Sequence, residues 1–128
     1  MIAAIAGGGF LGSVARYSVG LQWPVRQGEF PISTFFINLS GAFALGLILT
    51  LLLVRQPQSL RLRKFLCTGI LGGWTTMSAL AVELVRLVDA GRPAIAVSYL
   101  ALTAVLSMFA GAIGITLARK MTAGRFIS

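Results

Sequence analysis

The chain has 128 residues, 57% of them apolar and 11% charged, with 11 Lys and Arg against three acids and a net charge of +8. Its mean hydropathy of +0.91 excludes a soluble domain of this size, whose surface needs far more charge. With no histidine and so few acids, metal catalysis and general acid–base chemistry have almost nothing to use, which argues against an enzyme.

The first apolar stretch, Met1 to Ala15, carries no charge and continues past Arg16 to about Leu21. A hydrocarbon core of about 30 Å takes roughly 20 such residues in a helix. No basic segment precedes the stretch and its middle is rich in glycine, so it reads as a retained span and not as a cleaved signal. Gly8 and Gly12 form a G-x-x-x-G pair with Gly9 and Ser13 beside them, a surface that lets helix backbones approach closely. Arg16 falls on the same face. It points to a partner helix, or snorkels to the nearby span end. In the following loop Trp23 is placed for the interfacial aromatic belt.

Ile32 to Val54 is a second run, 23 residues without a charge. Gly41, Ala42 and Gly46 give it a small-residue face. Asn38 lies in its apolar interior, with Thr34 one turn earlier on the same side. An amide there needs a partner, so it joins two helices or faces a polar pathway.

Arg55, Arg61, Arg63 and Lys64 separate this span from the third, whose charge-free core, Phe65 to Val82, is 18 residues long. Its centre carries Gly69, Gly72 and Gly73 followed by Thr75 and Thr76, a poor helix interior. Either the helix breaks here and frees carbonyls at mid-membrane depth, a recurring cation site, or the glycines line a helix crossing. Cys67, the single cysteine, excludes an intrachain disulfide and reads as packing. Glu83 follows about two turns later, an acid whose depth makes it either a functional group or a snorkelling one.

Pro93 suits the first turn of the fourth span, and Ala94 to Ala118 gives 25 residues without a charge. Tyr99, Thr103, Ser107 and Gly111 follow at i+4 spacing and form one ridge. Lone hydroxyls in membrane helices usually bond their own i−4 carbonyls. Three in register read as a hydrated track, because hydroxyls donate to an anion and replace part of its water shell. Ala110, Gly111 and Gly114 again offer close helix contact.

These stretches set the expected architecture. It is an all-α membrane protein forming a single transmembrane domain over 1–128, with spans at about 1–21, 32–54, 65–88 and 94–118. Seven basic residues (Arg55, Arg61, Arg63, Lys64, Arg119, Lys120, Arg125) lie on the side of the termini, against Arg26, Arg86, Arg92 and the deeper Arg16 on the other. That bias places both termini in the cytoplasm, and such clustering argues against nucleic acid as the partner. Four helices are few for enclosing a pore, so a dimer is expected.

Three segments together resemble the Fluc (CrcB) family of bacterial fluoride channels, over essentially the whole chain. Gly8-Gly9-Phe10-Leu11-Gly12-Ser13-Val14-Ala15-Arg16-Tyr17 is similar to the family's GGxxGAxxRY. Thr34-Phe35-Phe36-Ile37-Asn38-Leu39-Ser40-Gly41-Ala42-Phe43 is similar to TLxVNxxGxF. Gly69 to Ser78 is similar to GxxGGxTTFS, with Glu83 at the matching distance. The resemblance implies a passive fluoride channel in the bacterial plasma membrane that lowers cytoplasmic fluoride, built as an antiparallel, dual-topology dimer. It implies a structural sodium ion at the dimer centre, held by the backbone carbonyls of Gly72 and Thr75. It also implies an anion path along Asn38, Thr34, Tyr99, Thr103 and Ser107, with Arg16 at the vestibule and Glu83 nearby.

The chain departs from the family where TTFSTF supplies two phenylalanines whose electropositive edges line the path. Met77 and Leu80 occupy those positions and offer no quadrupole. Two readings follow: one half of a heterodimer with a second family member, which the charge bias favours, or a homodimer with altered conduction. A small multidrug-type exporter is disfavoured because span one has no acid, and a non-conducting scaffold subunit stands as the other alternative.

Overall fold

The computed structural model describes residues 1–123; Arg125, one of the seven basic residues counted above, lies outside them. Four helical stretches are long and apolar enough to cross a membrane. Helix α1 (Ile2–Gln22) leads through the loop at Gly28, whose φ of 78° suits only glycine, into α2 (Ile32–Arg55). The third stretch is two helices. It opens with one α turn at Leu60–Arg63, widens to a π-helix over Lys64–Leu71 and ends with Gly72–Trp74. This run, 60–74, is α3. After two extended residues, Thr75 and Thr76, α4 (Met77–Asp89) completes the stretch, and α5 (Pro93–Thr122) returns.

Three of the expected spans agree with the observed helices within four residues. The third helix begins at Leu60, five residues before the expected start. Charges at Arg61, Arg63 and Lys64 end the apolar run, but arginine and lysine are good helix formers, so the helix outlasts its hydrophobic stretch.

The break falls at Thr75 and Thr76, just beyond the glycines. Those glycines remain helical and pack, so both sequence alternatives hold, at adjacent positions. A side chain at Gly8 would strike Phe65 O and Ile70 N, one at Gly12 would strike Ile70 O and Trp74 N, and one at Gly73 would strike Gly9 O. Helix α1 and α3 therefore touch backbone to backbone. On the other side of the molecule Gly46 meets Gly111 O, and Gly114 meets Phe43 O. The small-residue faces join helices within one chain. Gly72 is the exception, with nothing within 4 Å of where a side chain would begin.

The buried core sits at the end of the bundle that holds the loop between α1 and α2. Leu80, Leu87, Ala96 and Tyr99 form it, backed by Phe30, Phe35, Leu84 and Ile95. Phe30 meets Tyr99 edge-on with centroids 5.2 Å apart, a favoured aromatic geometry. Charge is divided along the bundle. Glu29, Glu83 and Asp89, the three acids of the chain, belong to this half. The opposite end carries Arg55, Arg61, Arg63, Lys64, Arg119 and Lys120 and no acid among the described residues.

Candidate functional site

Thr75 and Thr76 leave the helix because a side chain captures the backbone. Asn38, buried in α2, accepts from the Thr76 N–H at 2.8 Å and donates its amide to Thr76 O at 3.0 Å. The Thr76 N–H would otherwise close the helical bond to Gly72 O, so that carbonyl is released. Thr76 then caps α4, its hydroxyl accepting from the Ala79 N–H at 3.1 Å, the usual use of threonine at a helix start. The Gly73 carbonyl takes Arg16 Nε at 3.0 Å. Arg16 thus faces α3 across the glycine seam. Asn38 joins two helices and also borders a cavity.

That cavity, of about 360 Å³, brings together Asn38, Gly72, Thr75, Met77, Leu80, Thr103 and Ser107, with Cys67 in its wall. Thr103 and Ser107 are held there by α5 at four-residue spacing. Among the described residues, Thr103 Oγ1 and Ser107 Oγ are buried without a hydrogen-bond partner. Neither bonds its i−4 carbonyl, whereas Ser98, Thr116 and Thr122 on the same helix all do. A buried hydroxyl left unmade costs about 1–3 kcal/mol, so these two are free to donate to something polar in the cavity.

The first member of that ridge does different work. Tyr99 is fully buried, and its hydroxyl donates to Glu83 Oε2 at 2.7 Å. Thr34 donates to the other carboxylate oxygen, Oε1, at 2.7 Å. Glu83 is therefore buried and held by two charge-assisted bonds; it does not snorkel. Gly111 packs against Ala42 O. The ridge reaches the cavity only through Thr103 and Ser107.

A second cavity, of about 360 Å³, lies on the other side of the break and is lined by Arg16, Ser33, Thr34, Thr76 and Glu83. Thr76 borders both cavities, so its pairing with Asn38 stands between them. The two positions that depart from the resemblance are unlike one another. Met77 is 73% exposed, while Leu80 is 4% exposed and belongs to the core.

Sequence reasoning missed the Arg16–Gly73 bond and the Trp74 Nε1 bond to Ser40 Oγ at 3.0 Å. It also missed both partners of Glu83. The one local signal was Thr76 just ahead of the α4 run, a helix-start pattern.

A family model described as "CrcB-like protein, Camphor Resistance (CrcB)" matches residues 3–115. The chain is 42% identical over 103 residues to "Fluoride-specific ion channel FluC 2" of Streptomyces avermitilis, covering 80% of this chain and 65% of that one. It is 38% identical over 121 residues to "Fluoride-specific ion channel FluC" of Rhizobium meliloti, covering 94% and 97%. It is 41% identical over 123 residues to "Fluoride-specific ion channel FluC 1" of Nitrobacter hamburgensis, covering 94% and 96%. The chain thus spans slightly under two thirds of the Streptomyces relative and nearly all of the other two.

Proposed function

This chain belongs to the CrcB family, and from that premise we propose that it is a multi-pass subunit of a fluoride-selective, passive channel in a bacterial plasma membrane. Its role there is to relieve the cytoplasm of fluoride. The observation that carries the reading is the pair of buried, unpartnered hydroxyls, Thr103 and Ser107, facing the same cavity as Asn38. Moving a small anion into a low dielectric costs on the order of 20 kcal/mol before compensation. Donors already dehydrated and aimed at the path supply part of that compensation without rearranging. Arg16, in the second cavity, supplies positive potential at its mouth.

The channel is an antiparallel dimer. Gly72 stands open at the break with its carbonyl released, and Thr75 follows it in extended backbone. Neutral oxygens of this kind suit a hard monovalent cation. In the dimer the carbonyls of Gly72 and Thr75 would hold a structural sodium ion, which supplies positive charge at the subunit junction.

The partner is a second family member and not another copy of this chain. Met77 and Leu80 leave the path without aromatic edges, which an oppositely inserted relative would provide. The charge division supports the same reading, because Arg55, Arg61, Arg63 and Lys64, at the junction of α2 and α3, all favour one orientation. Streptomyces avermitilis carries relatives numbered FluC 2 and FluC 3, which is compatible with paired subunits.

The test is fluoride efflux from proteoliposomes holding the purified chain, alone and with a co-expressed relative, with chloride as control. Efflux that needs the relative supports the paired channel. Fast, fluoride-selective efflux from the chain alone overturns the heterodimer and keeps the channel. Folded protein that conducts in neither preparation overturns both.

A further inference from the structure

Among the described residues, the buried side-chain polar atoms without a partner are Thr103 Oγ1, Ser107 Oγ and Arg63 Nε. The first two belong to the cavity beside Asn38. The third stands one turn beyond it. Arg63, Cys67 and Leu71 follow at four-residue spacing through α3 and so share a helix face, and Cys67 and Leu71, with Thr75 just past the helix end, line the cavity. Arg63 extends that row toward the basic end of the bundle, four residues before Cys67. The helix widens into its π segment immediately after Arg63, a distortion frequent at functional sites. No acid stands at this end among the described residues, so no described side chain there neutralises the guanidinium. Its charge is permanent, and its N–H groups are fixed donors that suit an anion.

We propose that Arg63 is the anion-collecting group at the basic-end mouth of the cavity, the counterpart of Arg16 at the opposite end. The proposal rests on reading the chain as an anion-channel subunit. Low-dielectric walls focus the field of a charge at a narrow mouth and raise the local anion concentration. Arg63 receives the anion while it is still partly hydrated, and the Ser107 and Thr103 hydroxyls take over deeper in. Arg63 is only half-buried, which keeps its hold weak enough for release, as conduction requires.

Cys67, half-buried in the cavity wall, reports the potential at this mouth without any need for conduction. The full chain in micelles is treated with an anionic and a cationic methanethiosulfonate of similar size, and modification is followed by mass spectrometry. The anionic reagent should react faster. Arg63→Gln should lower the anionic-to-cationic rate ratio by about tenfold, and Arg63→Lys should keep most of it. Arg61→Gln, an exposed cation on the same turn, should change it little. An unchanged ratio in Arg63→Gln overturns the proposal, and so does failure of both reagents to reach Cys67 in monodisperse protein. In proteoliposomes that conduct, Arg63→Gln should slow fluoride efflux several-fold at low ionic strength and less at high salt. Loss of efflux in every preparation with the reagent ratio intact sinks the channel reading and leaves the anion-collecting mouth standing.

Discussion

Asn38 and Thr76 exchange two hydrogen bonds across the break in the third span, the Asn38 amide donating to the Thr76 carbonyl and its oxygen accepting from the Thr76 N–H. One side chain thus supplies the partners that a continuous helix would have supplied. Replacing it by Ala strands a buried N–H and a buried C=O. Asn38→Ala should therefore cost about 2–5 kcal/mol, read as a lowered unfolding midpoint in micelles. Unchanged stability would show that the break holds without this pairing.

The two free hydroxyls of α5 should behave in the opposite way. Thr103→Val and Ser107→Ala remove groups that have no partner, so stability should stay level or rise by up to about 1 kcal/mol. Fluoride efflux from the conducting complex should fall at least several-fold. A variant that loses stability in step with flux would mark these hydroxyls as structural.

Thr34 and Tyr99 each hold one oxygen of Glu83. Thr34→Val and Tyr99→Phe should each cost about 1.5–3 kcal/mol, the range for a bond to a charged group. The double variant should cost more than the sum, because the second deletion strips a buried carboxylate of its last donor. Strict additivity in a double-mutant cycle would mean that water replaces them.

Met77→Phe and Leu80→Phe should part company. Met77 is 73% exposed, so a larger ring displaces nothing within the chain and stability should hold. Leu80 is packed against Tyr99 and Leu87, and overpacking there should cost about 1–3 kcal/mol. If the missing aromatic edges limit conduction, Met77→Phe should raise efflux from the chain alone.

Gly12→Ala should be among the most damaging single-methyl changes. The new carbon meets Ile70 O and Trp74 N, backbone atoms that cannot swing aside. Gly7→Ala, with nothing within 4 Å, is the control and should be neutral or slightly stabilising. The fraction of monodisperse protein recovered from the membrane, with each variant's unfolding midpoint, decides the comparison.

The spans were legible because the bilayer demands an uninterrupted apolar run, and Ile32 to Val54 or Ala94 to Ala118 can be little else. The glycine faces were legible too, but their use was not. Spacing marks Gly8 and Gly12 as contact sites without saying whether α3 or a second chain fills them. The break was legible to within a few residues. Its placement at Thr75 and Thr76 depends on Asn38, 38 residues earlier in the chain. Glu83 was hidden in the same way, since Thr34 and Tyr99 stand 49 and 16 residues from it and no periodicity connects them. Arg63 read as one topogenic charge among several, and only its orphaned Nε sets it apart.

The glycine seam between α1 and α3 has a mechanical consequence. Two backbones in contact, latched by Arg16 on Gly73 O, move as one splinted body. Helix α4 belongs to another body, tied to α2 and α5 through Thr34, Glu83 and Tyr99. Thr75 and Thr76 are the joint between them, and the Asn38–Thr76 and Trp74–Ser40 bonds are its cross-braces. The helical backbone is interrupted at these two residues, and both cavities border the joint at Thr76.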